Sequence, residues 1–418
     1  MTEESYMTEL ERRPAGRKRH GKLILLVVVL LSLLVIAIYL YPIPISVMLS
    51  WNISSIDSKG QVYEIDSARD SEGRLHVAYC GYRGLTYATS SGGGWDIYPL
   101  GFSGRYCSVA VDSEGKVHIA ALAADYNRSL VYINNTLGTW EIEIVETGLW
   151  GWPIALALDS HNHAYISYSA NYTIRYCTNS NDGWQSYSLG ETSNGDSSTI
   201  LLDSQDRIHV FTADPVRHFT NESGSWTNES IFYWDLGGDK ISAALDSEGS
   251  IHIAFLGDER DITHGWGLMH GTNTNGSWTL TLVDELESFG GQECAIGLDS
   301  QDGIHISYQD FDSGRLKYAL NVDGTWKITS LTKGGEGFYY RVTGNTNDMI
   351  VEPSGHVHIF YSEKPSAPLR HATDEFPPMI LRLSLYVLLL AIPLVAIGIV
   401  VKLARKRAKR KDELREGP

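Results

Sequence analysis

The sequence contains few cysteines and, across its middle, few basic residues. Four cysteines in 418 residues exclude an architecture held together by many disulfides. The chain has a formal net charge of -16, and residues 43–379 are more acidic still because the basic residues cluster near the ends. Such a surface repels nucleic acid and anionic lipid. No helical period occurs between the short apolar segments of this region. We therefore expect an all-β domain with no nucleic-acid partner.

Two long apolar runs, Leu23–Tyr41 and Ile380–Val401, interrupt this polar composition. Each has close to the roughly 20 residues that a helix needs to cross the hydrocarbon core of a bilayer. The first could be a secretory signal peptide, but it is longer than a typical signal core and no small-residue cleavage site follows it. We therefore predict two transmembrane helices, over 23–41 and 380–401.

Basic residues flank both runs, in the tails 1–22 and 402–418. The positive-inside rule then places both termini in the cytoplasm and the middle of the chain outside. The prediction is a two-pass protein of the cell membrane, with a short linker over 42–50 and an ectodomain over 51–375.

All Asn-x-Ser/Thr sequons fall within this middle region, which favours an exported and glycosylated domain. The candidate glycosylation sites are Asn52, Asn127, Asn134, Asn171, Asn221, Asn228 and Asn275. Sequons also arise by chance in turns rich in Asn and Ser, so they support the topology without proving it.

The stretch DSEGRLHVAY at 70–79 recurs in similar form along the middle of the chain. The copies begin at Asp70, Asp112, Asp159, Asp203, Asp246, Asp299 and Glu352. Each is a tight turn between two short strands, followed by a third strand and by a fourth that opens with tryptophan. Repeats of roughly 40 to 50 residues with four strands each are typical of propellers. The sequence therefore predicts a seven-bladed β-propeller.

The seventh unit lacks its tryptophan strand, and the missing strand is at the other end of the domain. Trp51–Ile56, with the sequence WNISSI, precedes the first unit and has no partner there. Pairing it with the last unit closes the ring and removes exposed sheet edges. We expect it to be the outermost strand of the blade that contains His358.

This arrangement resembles the sialidase-like (BNR) propeller repeat proteins over the predicted ectodomain. The resemblance implies a seven-bladed propeller and leaves a sialidase- or glycosidase-like activity open. The repeat motif departs from theirs: the Asp-box reads Ser-x-Asp-x-Gly-x-x-Trp, whereas this chain has Asp-Ser-x-Gly-x-x-His.

Histidine occupies one blade position in six copies of the repeat, and Tyr165 occupies it in the third. The histidines are His76, His118, His209, His252, His305 and His358. A shared metal or catalytic site gathers different residues onto one axis, whereas a residue repeated in every blade lies at radially separated places. We interpret these histidines as structural, and we expect no metal, no cofactor and no catalytic residue.

Four of the eleven tryptophans lie outside the repeat, in loops predicted on the face opposite the Asp-Ser-x-Gly turns. With arginines and tyrosines of the same loops they form the candidate ligand site: Trp150, Trp152, Trp234, Trp266, Arg105, Tyr106, Arg260, Tyr339, Tyr340 and Arg341. Aromatic and arginine-rich loops on a rigid scaffold are typical of binding sites. Alternatively, some of them plug the channel or pack beneath long loops.

Two functions from different classes remain open. The first is a membrane-anchored recognition module that binds a glycan, a peptide or an envelope protein on its membrane-distal face. The second is a hydrolase that uses a pair of loop carboxylates from among Asp258, Asp261, Asp310 and Asp312. Two carboxylates that converge in one pocket favour the enzyme, and separated acids around an aromatic rim favour binding.

Overall fold

The computed structural model describes residues 51–59, 62–149, 153–192, 197–213, 215–232, 240–258, 266–286, 293–310, 313–333, 346–362 and 367–374. All of them belong to the second of the two units into which the chain divides, which begins at Trp51. Both apolar runs and both basic tails lie outside these residues. Within them, no helix has the length and hydrophobicity needed to span a membrane.

The described residues form twenty-eight β-strands in seven four-stranded sheets. The strands are β1 (Asn52–Asp57), β2 (Val62–Arg69), β3 (Leu75–Gly81), β4 (Gly84–Ser91), β5 (Gly94–Pro99), β6 (Gly104–Val111), β7 (Val117–Ala123), β8 (Ser129–Asn134), β9 (Glu141–Glu146), β10 (Ala155–Leu158), β11 (Ala164–Ala170), β12 (Thr173–Thr178), β13 (Gln185–Glu191), β14 (Ser198–Leu202), β15 (Ile208–Ala213), β16 (Val216–Thr220), β17 (Thr227–Phe232), β18 (Ile241–Leu245), β19 (Ile251–Asp258), β20 (Trp266–Thr272), β21 (Thr279–Glu285), β22 (Cys294–Leu298), β23 (Ile304–Asp310), β24 (Arg315–Asn321), β25 (Trp326–Ser330), β26 (Asn347–Val351), β27 (Val357–Tyr361) and β28 (Leu369–Thr373).

Each sheet is one blade, and this topology confirms the predicted all-β propeller with seven blades. Blades 1 to 6 take four consecutive strands each, from β2 to β25, and blade 7 has the strand order β1-β28-β27-β26. In blade 7, β1 pairs antiparallel with β28, so that Asn52 lies opposite Thr373. The predicted seam between the two ends of the domain is therefore confirmed.

Burial differs between the strands of a blade in a regular way. The second strands β3 and β7 are buried at almost every position, whereas the fourth strands β9 and β17 are mostly exposed. Neighbouring blades cover both faces of a second strand, and such strands read as continuous apolar runs such as HVAYC instead of alternating. The fourth strand forms the outer wall, where polar residues are tolerated.

The four cysteines are free and buried in the core: Cys80, Cys107, Cys177 and Cys294. Cys80 and Cys107 belong to the same apolar cluster between blades 1 and 2. Burial, with the neighbouring Cys80 thiol, raises the pKa of Cys107 well above its ordinary value. The Cys107 thiol therefore fills core volume in its neutral form.

A tryptophan joins each blade to the preceding one. The tryptophan of one blade packs on a tyrosine or histidine in the third strand of the preceding blade, with ring centroids 5.0 to 5.8 Å apart. The seven pairs are Trp140 on Tyr87, Trp184 on Tyr132, Trp226 on Tyr176, Trp278 on His218, Trp326 on His270, Trp51 on Tyr318 and Trp95 on His371. Because Trp51 and Trp95 complete the set, the contacts run around the whole ring.

The repeated histidines connect these rings to the turns, which agrees with the structural role expected for them. Nδ1 of His76 contacts the Tyr87 hydroxyl at 2.6 Å, and its Nε2 lies 3.2 Å from Asp70 Oδ2. In the other blades with a repeated histidine, Nε2 lies 3.1 to 3.6 Å from the turn carboxylate. Burial lowers the pKa of His76, so the ring is neutral and can accept one hydrogen bond while it donates another.

The turn aspartate fixes the backbone between first and second strands. Asp70 Oδ1 accepts the N–H groups of Glu72 and Arg74 at 2.9 and 2.8 Å. Gly73 has a φ of 85°, which glycine adopts without strain. The same carboxylate therefore holds the turn through one oxygen and the strand histidine through the other.

The seam generates the first prediction. Trp51→Ala removes a partly buried ring that packs edge-on against Tyr318 at 5.1 Å, and we expect the free energy of unfolding to fall by about 2 kcal/mol. Ile53→Ala on the same strand, 39% exposed, should cost less than about 0.5 kcal/mol. Denaturant unfolding of the two variants and the parent measures this, and equal stabilities would contradict the seam's contribution.

The buried histidines generate a pH prediction. Burial, with His252 adding to it, lowers the pKa of His270 from 6.5 to about 4. Below pH 6.5 the imidazole of His270 is protonated in the unfolded chain but stays neutral in the folded domain. The free energy of unfolding therefore decreases as the pH falls from 6.5 towards 4. His270→Tyr restores the His–Tyr pair of blades 1, 2 and 6. When the pH is lowered from about 7.5 to about 5, the free energy of unfolding of this variant should fall by about 2 kcal/mol less than that of the parent. Identical losses in both proteins would rule this out.

Candidate functional site at the mouth of the central channel

The first strands of the blades surround the central axis, and charged residues from several of them meet there. Most first strands carry small apolar residues, but five charged side chains lie in them or just before them: Glu64 and Asp66 within β2, Asp348 within β26, and Lys240 and Glu293 just before β18 and β22. With the exception of Glu293, they line one cavity of about 70 Å³ that Ser108, Ser197, Ser198 and Thr199 also border. Glu293 adjoins the cavity through Lys240.

Lys240 is the cation of this cluster. Its Nζ lies 3.4 Å from Glu64 Oε1 and 3.3 Å from Glu293 Oε2, and Thr346 donates to the same Glu293 oxygen at 3.0 Å. Burial by itself would lower the pKa of Lys240, but the carboxylates of Glu293 and Glu64 outweigh it and hold the pKa well above its ordinary value. Lys240 is therefore a permanent positive charge at the channel mouth.

Hydroxyl groups hold two further carboxylates of the cavity. Ser108 Oγ and the Val109 N–H donate to Asp66 Oδ2 at 2.6 and 2.7 Å. Ser67 Oγ donates to Asp348 Oδ2 at 2.5 Å. The four carboxyls outnumber the single ammonium, so protons remain on some of them near neutral pH.

The shifts of the carboxyl pKa values agree with this charge balance. Burial, then the charge of Glu293, raises the pKa of Glu64 to about 8. Burial, then the charge of Asp348, raises the pKa of Asp66 to about 7. Carboxyls that titrate near neutral pH within a cavity are typical of functional sites.

Ser197 contributes a buried hydroxyl group to the cavity. Its side chain is 5% exposed, and its Oγ has no hydrogen-bond partner within the part of the chain that the structure describes. Buried hydroxyls are normally bonded, so Ser197, judged from the described residues, offers the cavity a hydrogen-bonding group that the fold does not use.

The cavity lies on the face opposite the Asp turns, where each first strand begins and each second strand ends. Two first strands bulge at this point. The register of β2 shifts between Val62 and Glu64, and that of β6 shifts between Gly104 and Cys107. Bulges at such rims re-aim side chains.

Three consecutive blades present an exposed tyrosine on this face, at the turn between second and third strands. Tyr82, Tyr126 and Tyr172 are 80%, 41% and 66% exposed. Asn171 and Tyr172 have positive φ values of 51° and 60°, which places them at the tip of a tight hairpin. We name Tyr82, Tyr126 and Tyr172 the tyrosine arc.

Three of the ten predicted ligand residues are described by the structure. Arg105 and Tyr106 lie in the β6 bulge, with the guanidinium 5.6 Å from the Tyr106 ring centre. Trp266 begins β20 and is half-buried. The other seven lie outside the described residues: Trp150, Trp152, Trp234, Arg260, Tyr339, Tyr340 and Arg341.

The predicted loop acids and sequons have varied settings. Asp310 is 6% exposed and pairs with Lys317 at 2.9 Å, so its carboxylate is committed to the fold. Asp261 and Asp312 lie outside the described residues. Asn134 is buried and accepts a hydrogen bond from Thr136 Oγ1 at 2.5 Å. The exposed sequon residues are Asn52, Asn127, Asn171, Asn228 and Asn275.

Sequence reasoning missed the charged cluster and Tyr172. A usable signal exists in the first strands, because VYEIDSAR and NDMIV carry acids where CSVAV, ALAL and ISAAL carry small apolar residues. Charges that alternate on an innermost strand point to the channel axis.

No protein-family model and no curated protein matches this chain. Among solved structures, a catalytically inactive variant of virginiamycin B lyase from Staphylococcus aureus is 12% identical, with 77% of this chain and 99% of that one covered and a TM-score of 0.54. An ulvan lyase from a new polysaccharide lyase family is 11% identical, with 77% and 95% covered and a TM-score of 0.53. A fucose-containing disaccharide complex of Aleuria aurantia lectin is 14% identical, with 68% and 100% covered and a TM-score of 0.49.

These likenesses establish the propeller fold alone, and the lectin's TM-score is too low to support any argument. Membership of the sialidase-like repeat proteins, which the sequence resembles, is not confirmed. The site therefore has to be interpreted from its own residues.

The cluster generates a stability prediction. Lys240→Met leaves Glu64 and Glu293 without their cation, and we expect the free energy of unfolding to fall by about 3 kcal/mol at about pH 8. The loss should shrink at about pH 6, because Glu64, with its raised pKa of about 8, then holds a proton. Lys333→Met, at an exposed position, serves as the control. A loss that is independent of pH would contradict the charge balance.

Proposed function

We propose that the domain is a recognition module that binds a glycan across the channel mouth, between the tyrosine arc and the acidic cavity. One observation carries the proposal: exposed tyrosines of three consecutive blades stand on the same face as a cavity lined with carboxyl, hydroxyl and ammonium groups. Rigid scaffolds commonly present their ligand sites on such loop faces.

The chemistry of the two parts suits a sugar. Tyrosine rings offer flat apolar faces with a polar tip, which match the alternating C–H faces and hydroxyls of a pyranose. Carboxyls and serine hydroxyls bond sugar hydroxyls, and Ser197 Oγ has no hydrogen-bond partner among the described residues. A cavity of about 70 Å³ holds one substituent of a sugar ring and not the whole ring, so the ligand lies across the rim.

We further propose that the domain is anchored to the cell membrane by both of its ends, with the channel mouth turned outward. Asn52 pairs with Thr373, so the chain enters and leaves the ring side by side, on the face of the Asp turns. Two membrane helices attached there would leave the opposite face accessible to ligands outside the cell.

A glycan-cleaving enzyme is the second candidate, favoured by one observation. Glu64 and Asp66 are carboxyls of one cavity with raised pKa values, and an acid that keeps its proton near neutral pH can act as a general acid. The loop acids are weaker candidates, because Asp310 is paired with Lys317.

A glycan array probed with the untagged full-length protein tests the proposal. Tyr82→Ala combined with Tyr172→Ala should weaken binding to the best glycan by about tenfold, since each aromatic contact contributes about 0.5 to 1.5 kcal/mol. Tyr187→Ala, which removes a tyrosine that is 39% exposed on an outer strand, should leave binding unchanged. Equal affinities for the parent and the double variant would refute the tyrosine arc as the binding surface.

The same bound glycan distinguishes the two candidates. Incubation followed by mass analysis of the sugar should return it intact if the domain is a recognition module. Cleavage that disappears in Glu64→Gln would instead establish the enzyme, and cleavage that persists in that variant would exclude Glu64 as its acid.

A further inference from the structure

The third Asp turn contains two histidines, and no other Asp turn contains histidine at both of these positions. It reads DSHNHAY, so His161 and His163 stand where Gln205 and Arg207 stand in the fourth turn. In the same blade Tyr165 replaces the repeated strand histidine. The turn carboxylate Asp159 has thus lost one imidazole partner and gained two others nearer the surface.

The turn backbone is as firmly held here as elsewhere. Asp159 Oδ1 accepts the N–H groups of His161 and His163 at 2.9 and 2.8 Å. The second oxygen, Oδ2, therefore faces the side chains. It lies 2.9 Å from His163 Nδ1, and the Tyr165 hydroxyl reaches it only at 3.5 Å.

The two imidazoles and the carboxylate converge. One nitrogen of each ring and an oxygen of Asp159 lie within 4.8 Å of one another. The Asp159 side chain is 6% exposed, whereas those of His163 and His161 are 40% and 74% exposed. An anchored carboxylate beneath two solvent-facing rings lets a cation enter without any opening of the fold.

A second carboxylate reaches the cluster from the next blade. Asp206 accepts the Ser160 N–H at 2.8 Å and the Ser160 hydroxyl at 2.6 Å. Its Oδ2 lies 4.0 Å from His161 Nδ1. Two carboxyl groups therefore flank the two imidazoles at the junction of blades 3 and 4.

We propose that this turn binds a divalent transition cation, with Zn²⁺ as the best match, through Asp159 Oδ2 and one ring nitrogen each of His161 and His163. Two imidazoles, one carboxylate and water form a ligand set that Zn²⁺ accepts. Ca²⁺ and Mg²⁺ take oxygen ligands instead. Asp206 of blade 4 adds negative charge beside the ion, with its Oδ2 4.0 Å from His161 Nδ1. This site lies on the Asp-turn face, so it is separate from the proposed glycan site.

Zinc titration of the untagged full-length protein, monitored by competition with a chromogenic chelator, tests the proposal. We expect one ion per chain and an upward shift of the melting temperature, because binding to the folded state alone stabilises it. Ca²⁺ at the same concentration should produce no shift. Co²⁺ should give the visible absorption band of a site with nitrogen ligands.

The fourth turn supplies a matched variant. The double variant His161→Gln with His163→Arg gives the third turn the side chains that Gln205 and Arg207 carry at the same positions of the fourth turn. The fourth turn has the same backbone pattern and contains these residues. We expect its zinc affinity to fall by at least roughly tenfold while its metal-free melting temperature stays within a few degrees. Unchanged affinity, or absence of zinc binding by the parent, would overturn the proposal.

A single exchange guards against a folding defect in the double variant. His161→Gln alters a side chain that is 74% exposed, and it should still weaken zinc binding severalfold. Zinc binding that resists this exchange would place the ion elsewhere on the chain.

Discussion

Every blade interface depends on a tryptophan that packs on the third-strand ring of the blade before it. That ring is bonded in most blades to the repeated histidine, as Tyr87 is to His76 at 2.6 Å. The histidine in turn approaches the turn carboxylate, as His76 does Asp70 at 3.2 Å. The turn carboxylate, the histidine, the third-strand ring and the tryptophan of the next blade thus form one continuous series of contacts. This series recurs around the closed ring, so the loss of one contact weakens both a turn and a blade interface.

The repeated Asp–His contacts lie on the face of the Asp turns. The charged cluster lies near the opposite face and is not part of that repeated network. Glu64, Asp66 and Lys240 belong to this cluster. Buried charges of this kind contribute little net stability and are costly when unpaired, which is consistent with a functional reason for their presence.

The seam has a consequence for position as well as for stability. Because β1 completes blade 7 beside β28, both ends of the domain leave the ring at one place. The third turn, with Asp159 and its two histidines, lies on that same face, whereas the tyrosine arc lies on the other. A metal-dependent contact and a ligand contact could therefore act on the two faces without competing for the same surface.

The sequence by itself determined the number of blades, the seam and the structural role of the histidines. Each of these follows from a local pattern that recurs seven times, namely a turn, its flanking strands and a tryptophan at the start of the fourth strand. The channel cluster was decided only by the tertiary structure. Lys240 and Glu64 stand 176 positions apart, and Ser67 and Asp348 stand 281 apart. Each charge reads in isolation as a solvated side chain, and only closure of the ring brings them to one axis. Even the two turn histidines, only two positions apart in sequence, became a candidate metal site only when folding brought the rings close to Asp159 and brought Asp206 across from the next blade.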